Sequence, residues 1–308
     1  MEDGIRRRHV HEDHKGWYKG MSSGLIEMDD IEFRLNVDKE KYLLGEPFIV
    51  YPTLSNITIK PVSLINQLDP EIEIVTFYIM RGRQETLFVP YLLADSILQT
   101  QVLKPNESLR KGVKIFYGAG DWTFNSAGNY QIRATFNGLA DDPKEKIQSN
   151  PVVVQIRPPE NEQEKEQVNL LMGDEQGLFL LFEGGDHLSN GIQKLTELGS
   201  KYPTSELSGY ANFALGMSYS RDFKDFSKGK VRPIDTKKSI SFLKKAKGKD
   251  LGRYYTRQIY FTLAKMYGDS HLMNDRKAIL EEFVKRFSRD TNYMDIINEA
   301  RDILNTSG

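Results

Sequence analysis

Apolar side chains recur at every second position between residues 31 and 157, and at helical spacing from about residue 160 onward. The first spacing is that of strands with one buried face, the second that of amphipathic helices. In "IEFRLNV" (31–37) Ile31, Phe33, Leu35 and Val37 share a face, and "EIEIVTFYIM" (71–80) is β-branched and aromatic. "NYQIRATF" (129–136) sets Tyr130, Ile132, Ala134 and Phe136 opposite Gln131, Arg133 and Thr135, and "PVVVQIR" (151–157) ends the series. Short runs of this kind, bounded by Gly, Pro, Asn and Asp, predict an all-β sandwich or barrel with one wet face per sheet.

The boundary falls at "RPPENEQEKEQ" (157–167). Pro158 and Pro159 cannot continue a ladder, and the charged run after them is rich in helix formers. Helices are expected over 161–172, 174–183, 188–201, 205–223, 235–247, 253–268, 273–287 and 292–305. Pro203, Gly229, Pro233, Gly248, Gly252 and Gly268 mark the breaks, and Asp235 is a candidate N-cap. Short turns between consecutive helices imply antiparallel pairs. The expected class is α+β with two domains: a polar leader over 1–28, a β-sandwich over 29–158 and an all-α helical-repeat domain over 159–308.

A repeat runs through the helical part. Leu215, Gly216 and Tyr219 of "YANFALGMSY" occupy the same offsets as Leu263, Ala264 and Tyr267 of "YFTLAKMY", 48 residues later. Each is followed by a second amphipathic segment, "TKKSISFLKKA" (236–246) or "RKAILEEFVKRF" (276–287). A small residue beside a large one lets two helices approach closely, with the Tyr filling the gap one turn on. Such self-similarity suggests stacked helical pairs; a plain helical bundle is the alternative.

These residues resemble a tetratricopeptide repeat. Ser239, Leu243 and Ala246 fit its second-helix positions, as do Ile279 and Phe283, while Arg286 replaces the small residue. "IQKLTELGSKYP" (192–203) is an earlier half-match through Leu195, Leu198 and Pro203. The tetratricopeptide period is about 34 residues, so the longer spacing implies an insertion, placed at "KDFSKGKVRP" (224–233). The front part resembles immunoglobulin-like or macroglobulin-like sandwiches in "KYLLGEPFIVYPTLSN" (41–56) and "GNYQIRATFNG" (128–138). That resemblance implies a buried Tyr bonding backbone at a sheet corner, with Gly128 permitting the turn before it.

Composition narrows the chemistry. The 308 residues contain no cysteine, which excludes disulfides, thiolate catalysis and cysteine-ligated metal. The formal net charge is −1, so an electrostatic partner must be met by a local patch. No apolar stretch is long enough for a membrane span, and no apolar run follows the first basic residues. As written, the chain reads as cytoplasmic; removal of a leader would allow the cell envelope or secretion.

Three features could carry chemistry. "HVHEDH" brings His9, His11 and His14 together, a possible start for a zinc, nickel or copper site or a solvated leader with adventitious affinity. Residues 224–249 carry ten Lys/Arg against two Asp, with Lys228, Lys230 and Arg232 in the insertion. That patch suits an acidic protein surface or phosphates, or is simply a solvated face. "RYYTRQIYF" (253–261) has four aromatics at mixed helical phases. They either line a concave groove or lie in a fully buried helix. Ser241 and Lys244 match S-x-x-K by chance, without companion motifs, and phosphate-binding glycine motifs are absent.

The leading expectation is a non-enzymatic adaptor without cofactors. Its helical groove would hold another protein or peptide through Arg253, Tyr255, Arg257, Tyr260 and the basic insertion at Lys228, Lys230 and Arg232. The alternative is the non-catalytic C-terminal part of a larger metal-dependent enzyme using His9, His11 and His14. Nucleic-acid binding through 224–249 is a third and less favoured reading.

Overall fold

The computed structural model describes residues 31–93, 97–139, 146–225 and 229–306. The front half contains β1 (Ile31–Val37), β2 (Lys41–Leu43), β3 (Ile49–Asn56), β4 (Val62–Ile65), β5 (Val75–Arg81), β6 (Gln84–Leu87) and β7 (Thr100–Leu103). It continues through β8 (Ser108–Arg110), β9 (Val113–Lys114), β10 (Tyr117–Gly118), β11 (Asp121–Trp122), β12 (Gly128–Phe136), β13 (Ile147–Gln148) and β14 (Val152–Arg157). One sheet has the order β1–β3–β8 with β9 also on β3; a larger one runs β2–β14–β12–β5–β6 with β13 on β12, and β4 pairs with β7 and β10 with β11 as separate ribbons. Pairing is antiparallel except between β14 and β2.

The period-two pattern is realised directly. Ile31, Phe33 and Leu35 of β1 and Tyr130, Ile132, Ala134 and Phe136 of β12 are buried in a shared core, where the Phe33 and Phe136 rings lie 6.1 Å apart. Arg133 on the opposite face of β12 pairs with Glu85 instead. The buried Tyr130 hydroxyl donates to the Ser126 carbonyl at 2.8 Å, tying the start of β12 to the preceding turn. Gly128, at that turn, has φ +149, a region open to glycine. The two glycines of "YGAGDW" belong to a hairpin, β10 against β11.

The second half is helical: α1 (Glu162–Leu171), α2 (Asp174–Phe182), α3 (Ser189–Lys201), α4 (Glu206–Tyr219), α5 (Thr236–Lys247), α6 (Arg253–Asp269), α7 (Met273–Phe287) and α8 (Met294–Thr306). From α2 to α8 each helix packs on the next, and α4 also touches α6. The side chains of Asn161, Ser205 and Asp235 accept main-chain N–H groups at the starts of α1, α4 and α5, satisfying donors that the helix leaves free. The expected extension of α4 to residue 223 does not occur. The chain leaves the helix after Tyr219, and β15 (Phe223–Asp225) and β16 (Lys230–Arg232) form a hairpin before α5.

Helix α4 is buried continuously from Leu207 to Ser218. A Cβ on its Gly216 would stand 2.7 Å from Leu243 Cγ of α5. The glycine therefore sets how closely the two helices approach. One turn on, Tyr219 stacks on Phe242, with centroids 5.9 Å apart and planes 5° from parallel.

The halves share a hydrophobic core. Leu43, Ile49, Tyr51, Phe116, Tyr117 and Trp122 of the strand region belong to the same apolar cluster as the buried faces of the helices. Across the Pro158–Pro159 link, Arg157 at the end of β14 holds Glu164 of α1 at 2.7 Å.

Candidate functional site

The residues expected to line a helical groove are spent inside the molecule. Tyr255 is 2% exposed and Tyr260 1% exposed. Tyr255 meets Tyr210 and Phe213 edge-on, each at 5.0 Å, and Tyr260 donates to Glu282 at 2.9 Å. Neither can contact a partner without repacking, which corrects the groove assignment. Arg253 donates to the Asn292 carbonyl at 2.6 Å and pairs with Asp295; Arg257 pairs with Glu299 at 2.6 Å. These arginines fasten α6 to the segment leading into α8 and to α8 itself. The aromatic phases are mixed because neighbouring helices cover some faces of α6 and the strand region covers another.

Within the basic insertion, Arg232 is turned inward. Its Nε donates to Asp186 at 2.6 Å, its Nη2 to the Ser218 carbonyl at 2.9 Å, and its guanidinium lies 5.0 Å from the Tyr219 ring centroid. Lys230 is exposed. Lys228 and the histidines His9, His11 and His14 lie outside the described residues. Among the described residues there is no group of three or more metal-ligating side chains, and no helix is long and apolar enough to cross a membrane.

The polar chemistry gathers where strands meet helices. Helix α6 begins after Gly252, which has no capping side chain and φ +84. Its cap is supplied from the turn between β1 and β2 and from β3. Asp38 Oδ1 accepts from Arg253 N at 3.1 Å, and the Tyr51 hydroxyl accepts from Tyr254 N at 2.9 Å while donating to Asp38 Oδ2 at 2.8 Å. Burial pushes the Asp38 carboxyl above its ordinary value, with these hydrogen bonds opposing the shift. A second tie uses Glu46 of the Gly-Glu-Pro segment. Its buried carboxylate receives Lys39 Nζ at 2.6 Å, Leu43 N at 3.0 Å and the Tyr210 hydroxyl of α4 at 3.0 Å.

Beside this junction opens a cleft of about 370 Å³. One wall comes from the segment after β6, with Phe88, Tyr91 and Leu92, and another from the end of α2, with Leu181 and Phe182. Tyr254 and Gln258 of α6 close it, and Asp69, Glu71, Lys111 and Lys114 supply its charges. Lys114 Nζ donates to Glu183 Oε1 and to the Leu181 carbonyl, both at 2.7 Å. The Tyr254 hydroxyl donates to the same Glu183 oxygen at 2.9 Å. Burial pulls the Lys114 ammonium below its ordinary value although Glu183 opposes this, and burial pushes the Glu71 carboxyl up.

The mouth of the cleft is apolar. Tyr91 is 43%, Leu92 56% and Phe182 41% exposed. The Tyr91 ring meets Phe182 edge-on at 5.9 Å. Sequence reasoning reached Tyr254 as one of the α6 aromatics but missed the other lining residues. The available signal is "LFVPYLL" (87–93), which holds more large apolar side chains than a proline-containing connection needs.

No family model and no curated protein matches the chain. Among solved structures, the alkylpurine DNA glycosylase AlkC of Pseudomonas fluorescens aligns at 15% identity over 42% of this chain and 30% of its own, with a TM-score of 0.25. The CARDB domain of the PF1109 protein from Pyrococcus furiosus aligns at 14% identity over 42% of this chain and 88% of its own, with a TM-score of 0.23. The sporulation control protein Spo0M of Bacillus subtilis aligns at 8% identity over 46% and 54% of the two chains, with a TM-score of 0.25. Likenesses at this level carry no argument about fold or function.

Proposed function

We propose that this protein is a non-enzymatic interaction module that holds a peptide segment of another protein in the cleft between its strands and its helices. The observation that carries this reading is the exposed apolar mouth formed by Tyr91, Leu92 and Phe182 around a cleft with charged groups inside. Clustered large apolar side chains in solvent mark an interaction surface, and aromatic anchors beside a concavity are where binding energy concentrates.

In this reading the front half is an immunoglobulin-like sandwich, supported by the Tyr130–Ser126 corner bond. The helical half is a tetratricopeptide-like array, supported by the sequential packing of its helices and the close approach at Gly216. The array does not present its own groove through Tyr255 and Tyr260. It forms one wall of a cleft whose other wall is made of strands and their connections.

The test is selection of a random peptide library on the full chain, repeated with Tyr91→Ala and Phe182→Ala. Enriched peptides should bind at least about tenfold more weakly to each variant, as expected for aromatic anchors. Peptides that bind both variants as tightly as the native chain would remove the cleft from consideration.

A further inference from the structure

The charges of the cleft are unevenly satisfied. Lys111 is paired with Asp69, and Lys114 with Glu183. Arg221, exposed nearby, gives donors to the main-chain carbonyls of Phe182 and Glu183. Glu71 stands in the one-turn 3-10 helix Pro70–Ile72. Burial, and then Asp69, push its carboxyl above the ordinary value, while its own amide and the fields of Lys111 and Lys114 oppose the shift. Among the described residues it has no ion pair and no hydrogen bond to another side chain. Asp69 and Glu183 are thus each held by a lysine, and Glu71 is the carboxylate left without a direct partner among the described residues.

Rings complete the environment. The face of Tyr254 is taken by Lys114, whose Nζ lies 5.6 Å from the ring centroid. Tyr91 and Phe182, both partly exposed at the mouth, carry no such cation among the described residues. A carboxylate in a cleft lined by aromatic rings attracts a cation twice over, through the charge and through the ring quadrupoles. An anion would meet the uncompensated Glu71 and would have to displace carboxylates from both lysines.

We infer that the cleft recognises a basic side chain, the ammonium or guanidinium group of a peptide, with Glu71 as its counter-ion and the Tyr91 and Phe182 rings as its walls. This rests on the peptide-binding reading above and names the chemistry of the residue bound. The flanking apolar residues of the peptide cover Leu92 at the mouth. Both a lysine and an arginine satisfy the geometry, and the bidentate match of guanidinium to carboxylate favours arginine.

Three acetylated and amidated pentapeptides, Ala-Leu-Xaa-Leu-Ala with Xaa as Arg, Gln or Glu, test this by NMR titration of the full chain. The Arg peptide should shift the Tyr91 and Phe182 ring resonances. It should bind about five- to thirtyfold tighter than the Gln peptide, the range of a desolvated cation on rings with a carboxylate. The Glu peptide should be the weakest. Glu71→Gln should abolish the Arg-over-Gln preference, and Glu71→Lys should reverse the order of Arg and Glu. An unchanged thermal midpoint in Glu71→Gln excludes unfolding as the cause. Equal binding of all three peptides with the same ring shifts would overturn the charge inference and leave the peptide cleft standing. Absence of ring shifts with every peptide would overturn the inference, and the library selection would then decide the cleft on its own.

Discussion

Tyr51→Phe is the sharpest test of how the two halves are held together. The hydroxyl has two roles at the start of α6: it accepts from Tyr254 N at 2.9 Å and donates to Asp38 Oδ2 at 2.8 Å. Gly252 cannot replace it, because a side chain there would place its Cβ 2.4 Å from Asp38 Oδ2. Removing the hydroxyl leaves a main-chain donor without a partner in a mostly buried junction, at a cost of about 1–3 kcal/mol. Loss of a helix cap by itself costs about 1 kcal/mol, and the two descriptions overlap, so the expected loss is about 2 kcal/mol. For a chain of this size that corresponds to a fall in Tm of roughly 3 °C. Calorimetry gives the midpoint, and amide hydrogen exchange reports the cap directly. Protection at Tyr254 should drop in Tyr51→Phe, and protection at Arg253 should drop in Asp38→Ala. The two substitutions share one network, so their combined effect should fall short of the sum by about 0.5–3 kcal/mol. A midpoint within about a degree of the native one, with unchanged exchange at Tyr254, would refute a cap supplied across the junction.

Other expectations follow from single contacts. Gly216→Ala gains about 0.8–1.0 kcal/mol of helix propensity but overpacks Leu243 at a cost of about 1–3 kcal/mol; urea unfolding should show a net loss, and a gain would mean that α4 and α5 have room to spare. Tyr255→Phe removes a buried hydroxyl with no hydrogen-bond partner among the described residues, so its midpoint should be equal or higher, whereas Tyr255→Ala should cost about 3–5 kcal/mol through a cavity. Partner loss in Tyr255→Ala would therefore report unfolding, which circular dichroism would reveal. The Arg157 guanidinium holds the Glu164 carboxyl down to about 2 from an ordinary 4.5. Because the folded value is the lower one, the stabilisation is complete above pH 4.5 and is lost as pH falls toward about 2. The stability difference between the native chain and Glu164→Gln should shrink over that window, and a difference independent of pH would contradict the pairing.

Much of the architecture was legible in local order. Period two in "NYQIRATF" and helical spacing after Pro159 mark the α+β division because pleat and helix each impose their own repeat on nearby side chains. Asp235 was readable as a cap because a helix start needs its acceptor within a few residues. The end of α4 was less legible: "SRDFKD" (220–225) is compatible with either helix or hairpin until β16 pairs with it.

The site was decided elsewhere. Tyr254, Tyr255 and Tyr260 belong to one helix and carry the same aromatic signal. Only the covering elements separate them, placing Tyr254 at the cleft and burying Tyr255 against α4 and Tyr260 against α7. Asp38 caps a helix that begins 215 residues later, and Glu71 gains its environment from Lys111 and Lys114, about 40 residues further along the chain. Periodicity in the sequence fixes which side chains share a face, because that depends on backbone geometry a few residues long. It does not fix what lies against the face. Burial, charge pairing and the cleft depend on segments brought together from distant parts of the chain, and those neighbours are chosen only by tertiary packing.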